Sequence, residues 1–276
     1  MSTNPDDYLS PLITDPALLR REAVKRRKPF DEKSVHPDSI PDHEADGWVV
    51  DRKLKRKTKV RREKVIDERL ENRFWMLLFK LGYPEMNGGR SFTVRIERKG
   101  AEPLRKQIDV FGRDDETVIV AECKASEKLT RRTLQKDIEE FAHLKGPIAN
   151  AVKKHYGQDF KPKIIWFFVT ENIIWSRPDR ERATGGNIRI ITERELRYYS
   201  QIAEHLGKSA RYQFLAEFLK DQAIPGFKTR LYQRSEGSSA EGSSTALLRP
   251  HVVSSKFLSL ITVHSTTLKE PQPTRG

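Results

Sequence analysis

The sequence predicts an α/β fold in which a mixed β-sheet is flanked by helices. Three observations support this class. An amphipathic helix pattern begins near residue 67, three short alternating strand patterns follow between residues 92 and 125, and residues 164–169 are a run of β-branched and aromatic side chains. Such a run is typical of a buried central strand. Strands that alternate with helical patterns are expected to share one sheet.

The first predicted helix begins at Asp67, which can serve as the N-cap, and ends at Gly82. Its apolar residues recur at the 3.6-residue spacing of a helix, so one face should pack on the sheet. That face carries Leu70, Phe74, Leu77, Leu78 and Leu81.

The next elements are predicted as a three-stranded meander and two helices. Residues 92–96, 106–112 and 118–125 show the alternation of apolar and polar side chains that half-buried strands require. Helices are expected over residues 130–145, which Gly146 would end, and over residues 147–156.

After the central strand at 164–169, residues 188–191 predict a further strand. Thr192 and Glu195 then have the spacing of a capping box, which predicts a helix to residue 207. A last helix is expected to begin at Ser209, its N-cap.

The segments outside this region are expected to be disordered or extended. Residues 1–46 are polar with scattered prolines, and apart from a helical turn near residues 17–28 we expect them to be a disordered tail. Residues 47–66 are predicted to be a basic arm, and residues 67–234 the folded domain. Residues 235–276, rich in Ser and Gly, are expected to form a second disordered tail.

The composition favours a polyanionic partner. Among 276 residues, 52 are Lys or Arg and 39 are Asp or Glu, so the formal net charge is +13 and the pI is about 9.7. Cys123 is the only cysteine, which excludes a disulfide framework and a cysteine zinc cluster. The polar N-terminus shows no signal peptide, and residues 164–169 are far shorter than the ~20 residues of a membrane span. We therefore expect a cytoplasmic protein without a membrane partner.

The sequence allows two interpretations of the basic arm. Nine Lys and Arg residues between positions 52 and 64 are opposed only by Glu63, and Lys55, Arg56 and Lys57 lie at their centre. One reading is a solvated linker or a localisation signal. The other is an arm that lies along the phosphates of a nucleic acid.

The spacing of three polar residues suggests a catalytic group. On a strand, alternate side chains share a face, so Glu122 and Lys124 should project together while Ala121 and Cys123 point into the core. If the preceding strand pairs with this one as a hairpin, Asp109 meets Glu122 and Lys124 on one surface. The bland reading is an ordinary solvated Glu–Lys pair, since Glu-x-Lys is common by chance.

A carboxylate cluster of this kind is costly unless a cation joins it, and oxygen ligands suit Mg²⁺ or Mn²⁺. Glu71 supports the catalytic reading because it borders the apolar face of the first helix and can point toward the sheet. Glu68 is the weaker candidate, since a carboxylate in the first turn is already favoured by the helix dipole.

The combination of Glu71, Asp109, Glu122 and Lys124 resembles the PD-(D/E)XK nuclease superfamily, which includes Holliday-junction resolvases and many restriction enzymes. The resemblance implies a restriction-endonuclease-like core, with Asp109 and Glu122 as metal ligands. It also implies that Glu71 binds the metal directly or through water and that Lys124 assists the attacking water. Ile108 stands where the superfamily name shows Pro. Many members act as dimers, which leaves a homodimer open.

A closer likeness covers most of the predicted domain. Residues 73–87, 106–127, 209–217 and 222–227 resemble the nuclease-like N-terminal part of DGQHR-domain proteins, which are relatives of the DNA sulfur-modification regulator. In that family a second domain usually continues beyond a segment like residues 224–226. We therefore expect a truncated member, with a place in DNA modification or defence.

Several polar residues that follow Lys124 could contact DNA. A glutamine at a place similar to Gln135 contacts the scissile phosphate in part of the superfamily, although an exposed polar residue is the commoner explanation. Basic residues nearby could grip phosphates or simply form a charged helix face. They are Lys128, Arg131, Arg132 and Lys136.

The leading hypothesis is a Mg²⁺- or Mn²⁺-dependent DNA endonuclease. No Gly-rich loop of the Walker type is present, so no nucleotide cofactor is expected. One alternative is a catalytically inactive DNA-binding or regulatory module with the same fold. A second is an RNA-binding or assembly protein, in which Asp109 would be exposed and far from Glu122.

Overall fold

The computed structural model describes residues 7–98 and 100–218. The predicted tail at 235–276 and residues 222–227 lie outside these ranges. The strands are β1 (Leu9–Ser10), β2 (Leu12–Ile13), β3 (Phe30–Val35), β4 (Val49–Lys53), β5 (Thr58–Glu63), β6 (Glu85–Asn87), β7 (Thr93–Arg98), β8 (Ala101–Gln107), β9 (Val110–Arg113), β10 (Thr117–Thr130), β11 (Lys163–Ile173) and β12 (Arg189–Thr192). The helices are α1 (Pro16–Arg27), α2 (Ile40–Ala45), α3 (Ile66–Leu81), α4 (Gln135–Tyr156), α5 (Arg177–Gly185), α6 (Glu193–Leu206) and α7 (Ala210–Phe218).

The fold is mixed α/β, as the sequence predicts. A six-stranded sheet has the order β12-β11-β10-β9-β6-β2. Strands β10, β11 and β12 are parallel neighbours, whereas β9, β6 and β2 are added in antiparallel fashion. Two three-stranded sheets, β1-β7-β8 and β3-β5-β4, accompany it.

Each face of the large sheet is covered by helices because its central strands are apolar on both faces. One core includes Phe74 of α3 and Phe214 of α7 against Phe167 of β11. The other includes Phe141 of α4 against Trp166 and Phe168. The predicted assignment of the 164–169 run to the central sheet is confirmed.

Helix α3 ends where the sequence predicts. Gly82 adopts the left-handed conformation, with φ of 86°, and caps the last turn. A Cβ atom at this position would lie 2.7 Å from Lys208 Cγ, so glycine is also favoured by close packing. The N-cap is Val65 rather than Asp67, which lies in the first turn. The predicted capping box of Thr192 and Glu195 opens α6.

The predicted meander is interrupted at Asp109. The stretch 106–112 was expected to be one strand, but β8 ends at Gln107 and β9 begins at Val110. In a continuous strand Ile108 and Val110 would share a face, whereas here they belong to opposite cores. The chain therefore turns at Asp109, and β8 pairs with β7 while β9 pairs with β10.

One long helix replaces the two that the sequence predicts over 130–156. Helix α4 continues through Gly146 and Pro147. A proline inside a helix removes one backbone hydrogen bond. The burial of Ile148, Ala151 and Val152 against the sheet stabilises the helix beyond this point.

The predicted disordered tail at 1–46 is wrong for the described part of that segment. Helix α1 is capped by Asp15 and buries Leu19 and Ala23 against α3, and β2 forms an edge of the large sheet. The helical turn predicted near residues 17–28 is the longer helix α1, whose full period the sequence obscures because its third buried residue is Arg26. Burial of an arginine is rare, so the pattern reads as polar.

The predicted basic arm at 47–66 is also more ordered than expected. Strands β4 and β5 form a hairpin that is completed by β3, and Val60 and Thr58 are buried on one face of this small sheet. Lys55, Arg56 and Lys57 lie exposed in the turn of the hairpin. Among the described residues, every helix is too short or too polar to cross a bilayer.

The packing of α1 gives the first prediction. Replacing Leu19 by Ala, which leaves a cavity between α1 and α3, should lower the free energy of unfolding by about 2 to 5 kcal/mol. Urea denaturation measures the change. Val24→Ala, at a position of α1 that is 62% exposed, is the matched control and should have little effect. Equal urea midpoints for Leu19→Ala and the parent would contradict the packing of α1 against α3.

Candidate active site

Asp109 and Glu122 lie close together at the open end of the β9–β10 hairpin. Val110 pairs with Ala121 at the last position of this ladder, Asp109 and Glu122 are the next residue of each chain segment, and the charge of Glu122 acts on the Asp109 carboxyl. Asp109 Oδ2 accepts a hydrogen bond of 2.8 Å from the backbone N–H of Cys123. As predicted, Ala121 and Cys123 are buried in the core. The structure thus brings together the two carboxylates that the sequence pattern suggested.

Lys124 lies on the same face of β10, two residues beyond Glu122. Its Nζ is 2.9 Å from Glu122 Oε1 and 3.6 Å from Asp137 Oδ1 at the beginning of α4. Burial alone would lower the pKa of Lys124, but the charges of Glu122 and Asp137 and the hydrogen bond to Glu122 raise it above its usual value. The lysine is therefore a permanent cation beside the two carboxylates.

The ionised form of Asp109 is disfavoured beside Glu122. Burial first, and then the charges of Glu122 and Glu71, raise the pKa of Asp109 to about 7. The Cys123 N–H and Lys124 oppose this rise without cancelling it. Opposed carboxylates repel each other, so at neutral pH the pair favours a proton or a cation.

Glu71 points inward from α3, as predicted, but its negative charge is compensated by Arg90. Its carboxylate is 3% exposed and accepts two hydrogen bonds from Arg90, of 2.8 and 2.9 Å. The same guanidinium lies 3.6 Å from Glu68. Glu68 is a first-turn residue as expected, but it is also buried, and burial followed by the charge of Asp31 raises its pKa. The sequence offered no signal for Arg90, a single cation in a glycine-rich loop.

Asn87 is a functional-site residue that sequence reasoning missed. It is fully buried, and its Oδ1 accepts the N–H of Phe111 at 3.0 Å. Its Nδ2 donates to the carbonyl oxygens of Gly89 and Asp109 at 3.1 and 3.2 Å. These bonds fix the backbone at Asp109 and begin the loop that carries Arg90. An Asn before two glycines predicts only a turn.

The predicted DNA-contacting residues lie in two separate places. Gln135 begins α4 and donates to Glu139 at 2.9 Å, and the neighbouring Asp137 approaches Lys124, so this end of α4 adjoins the carboxylates. The four predicted basic residues on this side, Lys128, Arg131, Arg132 and Lys136, are all exposed. The other predicted group, Lys55 to Lys57, belongs to the separate sheet β3-β5-β4.

The donor set can be tested for its fit to a divalent cation. Among residues 7–98 and 100–218, no three His, Cys, Asp or Glu side chains are arranged as a metal site. Arg90 contacts both oxygens of Glu71, whereas Lys124 contacts Oε1 of Glu122, and Asp109 repels Glu122. Two carboxylates with water suit Mg²⁺ or Mn²⁺, which keep several waters when bound to proteins. The residues therefore fit a cation held by Asp109 and Glu122, with Glu71 outside that pair.

Comparisons with known proteins do not assign a function. No family model and no curated protein matches the sequence. Protein VC1899 from Vibrio cholerae aligns with 70% of this chain and 51% of its own, at 14% identity and a TM-score of 0.36. Can2 from Sulfobacillus thermosulfidooxidans, in complex with cyclic tetra-adenylate, aligns with 69% of this chain and 50% of its own, at 13% identity and a TM-score of 0.34. The chain spans about half the length of each.

The raised pKa of Asp109 predicts how stability depends on pH when no metal is present. The fold favours the protonated carboxyl, so this contribution is complete below the unfolded pKa of about 3.9 and is lost as the pH rises through about 7. In chelator, this contribution to the melting temperature should fall from about pH 4 to about pH 7, and Asp109→Asn should reduce that fall.

Differential scanning calorimetry at several pH values measures this dependence. Asp115→Asn, in the exposed turn between β9 and β10, is the control and should keep the parent's profile. An unchanged pH profile in Asp109→Asn would contradict the assigned environment of Asp109.

Proposed function

We propose that this chain is a Mg²⁺- or Mn²⁺-dependent nuclease that hydrolyses phosphodiester bonds of DNA. The observation that carries the proposal is the close approach of the Asp109 and Glu122 carboxylates with Lys124 beside them. A repelling pair of carboxylates beside a fixed cation is unfavourable for stability alone, and such arrangements are typical of catalytic sites. The resemblance to the PD-(D/E)XK superfamily and the net charge of +13 support the same function.

Each residue would have a distinct part in the reaction. Asp109 and Glu122 would hold the cation, which when bound supplies polarisation of the phosphate and a lowered pKa for a coordinated water. Lys124, a permanent cation, would orient the attacking water through its N–H groups and stabilise the negative charge that develops on the phosphate. The Cys123 N–H keeps Asp109 oriented toward Glu122.

The glycine-rich loop and the end of α4 would complete the site. Arg90, about 43% exposed, can turn from Glu71 toward a substrate phosphate, which would free Glu71 to bind a coordinated water. Gln135 and the basic residues near it lie on the side of Lys124 and would contact the DNA backbone. The likeness to DGQHR-domain proteins supports a place in DNA modification or defence, and a homodimer is part of the same proposal.

The test is cleavage of linear, supercoiled, single-stranded and branched DNA with Mg²⁺ or Mn²⁺. Glu122→Ala and Lys124→Ala should each lower the rate by roughly a hundredfold or more, because each removes a group that acts on the transition state. Asp115→Ala and Lys161→Ala, exposed positions at the opposite end of β10 from Glu122 and Lys124, are the matched controls and should cut at the parent rate. Equal cleavage rates for all four variants would contradict the catalytic roles assigned to Glu122 and Lys124.

A second candidate is a catalytically inactive DNA-binding module of the same fold. The ion pair of Arg90 with Glu71 favours it, because the guanidinium already satisfies the carboxylate that the superfamily uses toward its metal. This candidate predicts salt-sensitive DNA binding without cutting, with an affinity unaffected by metal or by Lys124→Ala. The RNA-binding alternative predicts an exposed Asp109 far from Glu122; the burial of the Asp109 carboxyl and the effect of the Glu122 charge on its pKa argue against that alternative.

A further inference from the structure

A cleft on the opposite flank of α3 has the features of an anion-binding site. It lies between the end of α1, α3 and α6, and its volume is about 630 Å³, within the usual range for small-molecule sites. Glu68 and Glu71 lie on one side of α3, whereas Arg69, Arg73 and Met76 line the cleft on the other. The cleft is therefore separate from the carboxylates proposed for catalysis.

The charge of the cleft walls is strongly positive. Eight of the fifteen described lining residues are Lys or Arg, and Glu204 is the single carboxylate among them. Six of the eight cations pair with carboxylates; two of these partners are exposed, Glu63 at 69% and Glu204 at 65%, and the other four are partly buried. Exposed ion pairs are weak, so a phosphate can replace them. Arg27 forms no ion pair within the described chain.

Two buried cations build the wall of the cleft at the end of α1. Lys64 is 3% exposed and donates to the carbonyl oxygens of Lys25 and Arg26 at 2.9 and 3.4 Å. These carbonyls are the negative end of the helix dipole, so Lys64 neutralises the one feature of α1 that would repel an anion.

Arg26 leaves a donor unused. Its guanidinium lies over the ring of Trp75, and it donates through Nε to Glu22 and through Nη1 to Asn72. Its Nη2 is buried and has no acceptor among the described residues. A buried N–H without an acceptor is costly, but its burial also keeps this donor out of reach of a ligand in the cleft, so Arg26 contributes its charge rather than this hydrogen bond.

Six of the eight cations project from α1, α3 and α6, while Met76 and Leu77 give the cleft an apolar floor. Ser200 and Gln201 of α6 add neutral polar groups. A ligand that uses all of these features carries more than one phosphate on a flat, partly apolar body.

We propose that this cleft binds a nucleotide or short oligonucleotide with at least two phosphate groups, independently of the carboxylate site. The phosphates contact Arg27 at the end of α1, Arg73 of α3 and Arg197 of α6. The base lies on the apolar floor, near Ser200 and Gln201. Occupation of the cleft ties α1 to α3 and α6, since side chains of all three contact one ligand.

The test is calorimetric titration of the full chain in chelator with ADP, pyrophosphate and adenosine, at about 0.15 M salt to suppress non-specific attraction. ADP should bind saturably at one site, pyrophosphate more weakly and adenosine not measurably. Arg27→Ala and Arg197→Ala should each weaken ADP binding roughly tenfold, since each removes a charge-assisted contact. Arg20→Ala and Arg194→Ala, exposed positions of α1 and α6 outside the cleft, remove the same charge and should bind as the parent does.

A duplex of about 20 base pairs, titrated in parallel, separates a free nucleotide from a DNA backbone as the source of phosphate. Failure of both ADP and pyrophosphate to bind would overturn the proposal, and so would equal weakening by the cleft and control variants. Loss of duplex binding in Arg27→Ala and Arg197→Ala, without any binding of the small phosphates, would overturn it in favour of a DNA track. The melting temperature of each variant confirms that it folds.

Discussion

The opposition of Asp109 and Glu122 is the constraint around which the neighbouring structure is arranged. Two carboxylates side by side at the open end of the β9–β10 hairpin repel each other, and partial burial increases that repulsion. The Cys123 N–H and Lys124 compensate part of it. The strand break at Asp109 follows from the same arrangement, because its side chain accepts a hydrogen bond from a backbone N–H of β10 while Asn87 Nδ2 donates one to its carbonyl oxygen. A fold selected for stability alone would place apolar or oppositely charged residues at these two positions.

Helix α3 connects this cluster to the rest of the molecule. Asp67 accepts the N–H of Ala125, so the beginning of the helix is fixed to β10 one residue beyond Lys124. Its apolar face packs on the sheet, Glu71 approaches the carboxylates, and its far flank forms part of the basic cleft. The proposed nuclease site and the proposed anion site are thus built on opposite sides of one helix. A rigid element shared by two sites is a physical route by which occupation of one could affect the other.

The position of Arg90 determines the net charge of the cluster formed by Glu71, Asp109 and Glu122. When Arg90 contacts Glu71, its positive charge compensates the Glu71 carboxylate, and Asp109 and Glu122 are the carboxylates left to bind a cation. With Arg90 on a substrate phosphate, Glu71 would add to the negative field, and the site would approach the pattern of the superfamily it resembles. Gly89, with a positive φ and open space around it, gives the loop the conformational freedom for such a movement.

The sequence by itself determined the fold class, helix α3 with its end at Gly82, the central strand, and the grouping of Asp109, Glu122 and Lys124, because local periodicity and strand parity fix these features. Only the tertiary structure showed that residues 7–66 are largely folded into strands and helices. The ion pair of Glu71 with Arg90, the anchoring role of Asn87 and the basic cleft were also decided by tertiary structure alone. Each of these depends on partners distant in the sequence, such as Arg26 on Asn72 or β3 on β5. A buried arginine or asparagine reads as polar in the sequence, since the partner that allows its burial is supplied only when the chain folds.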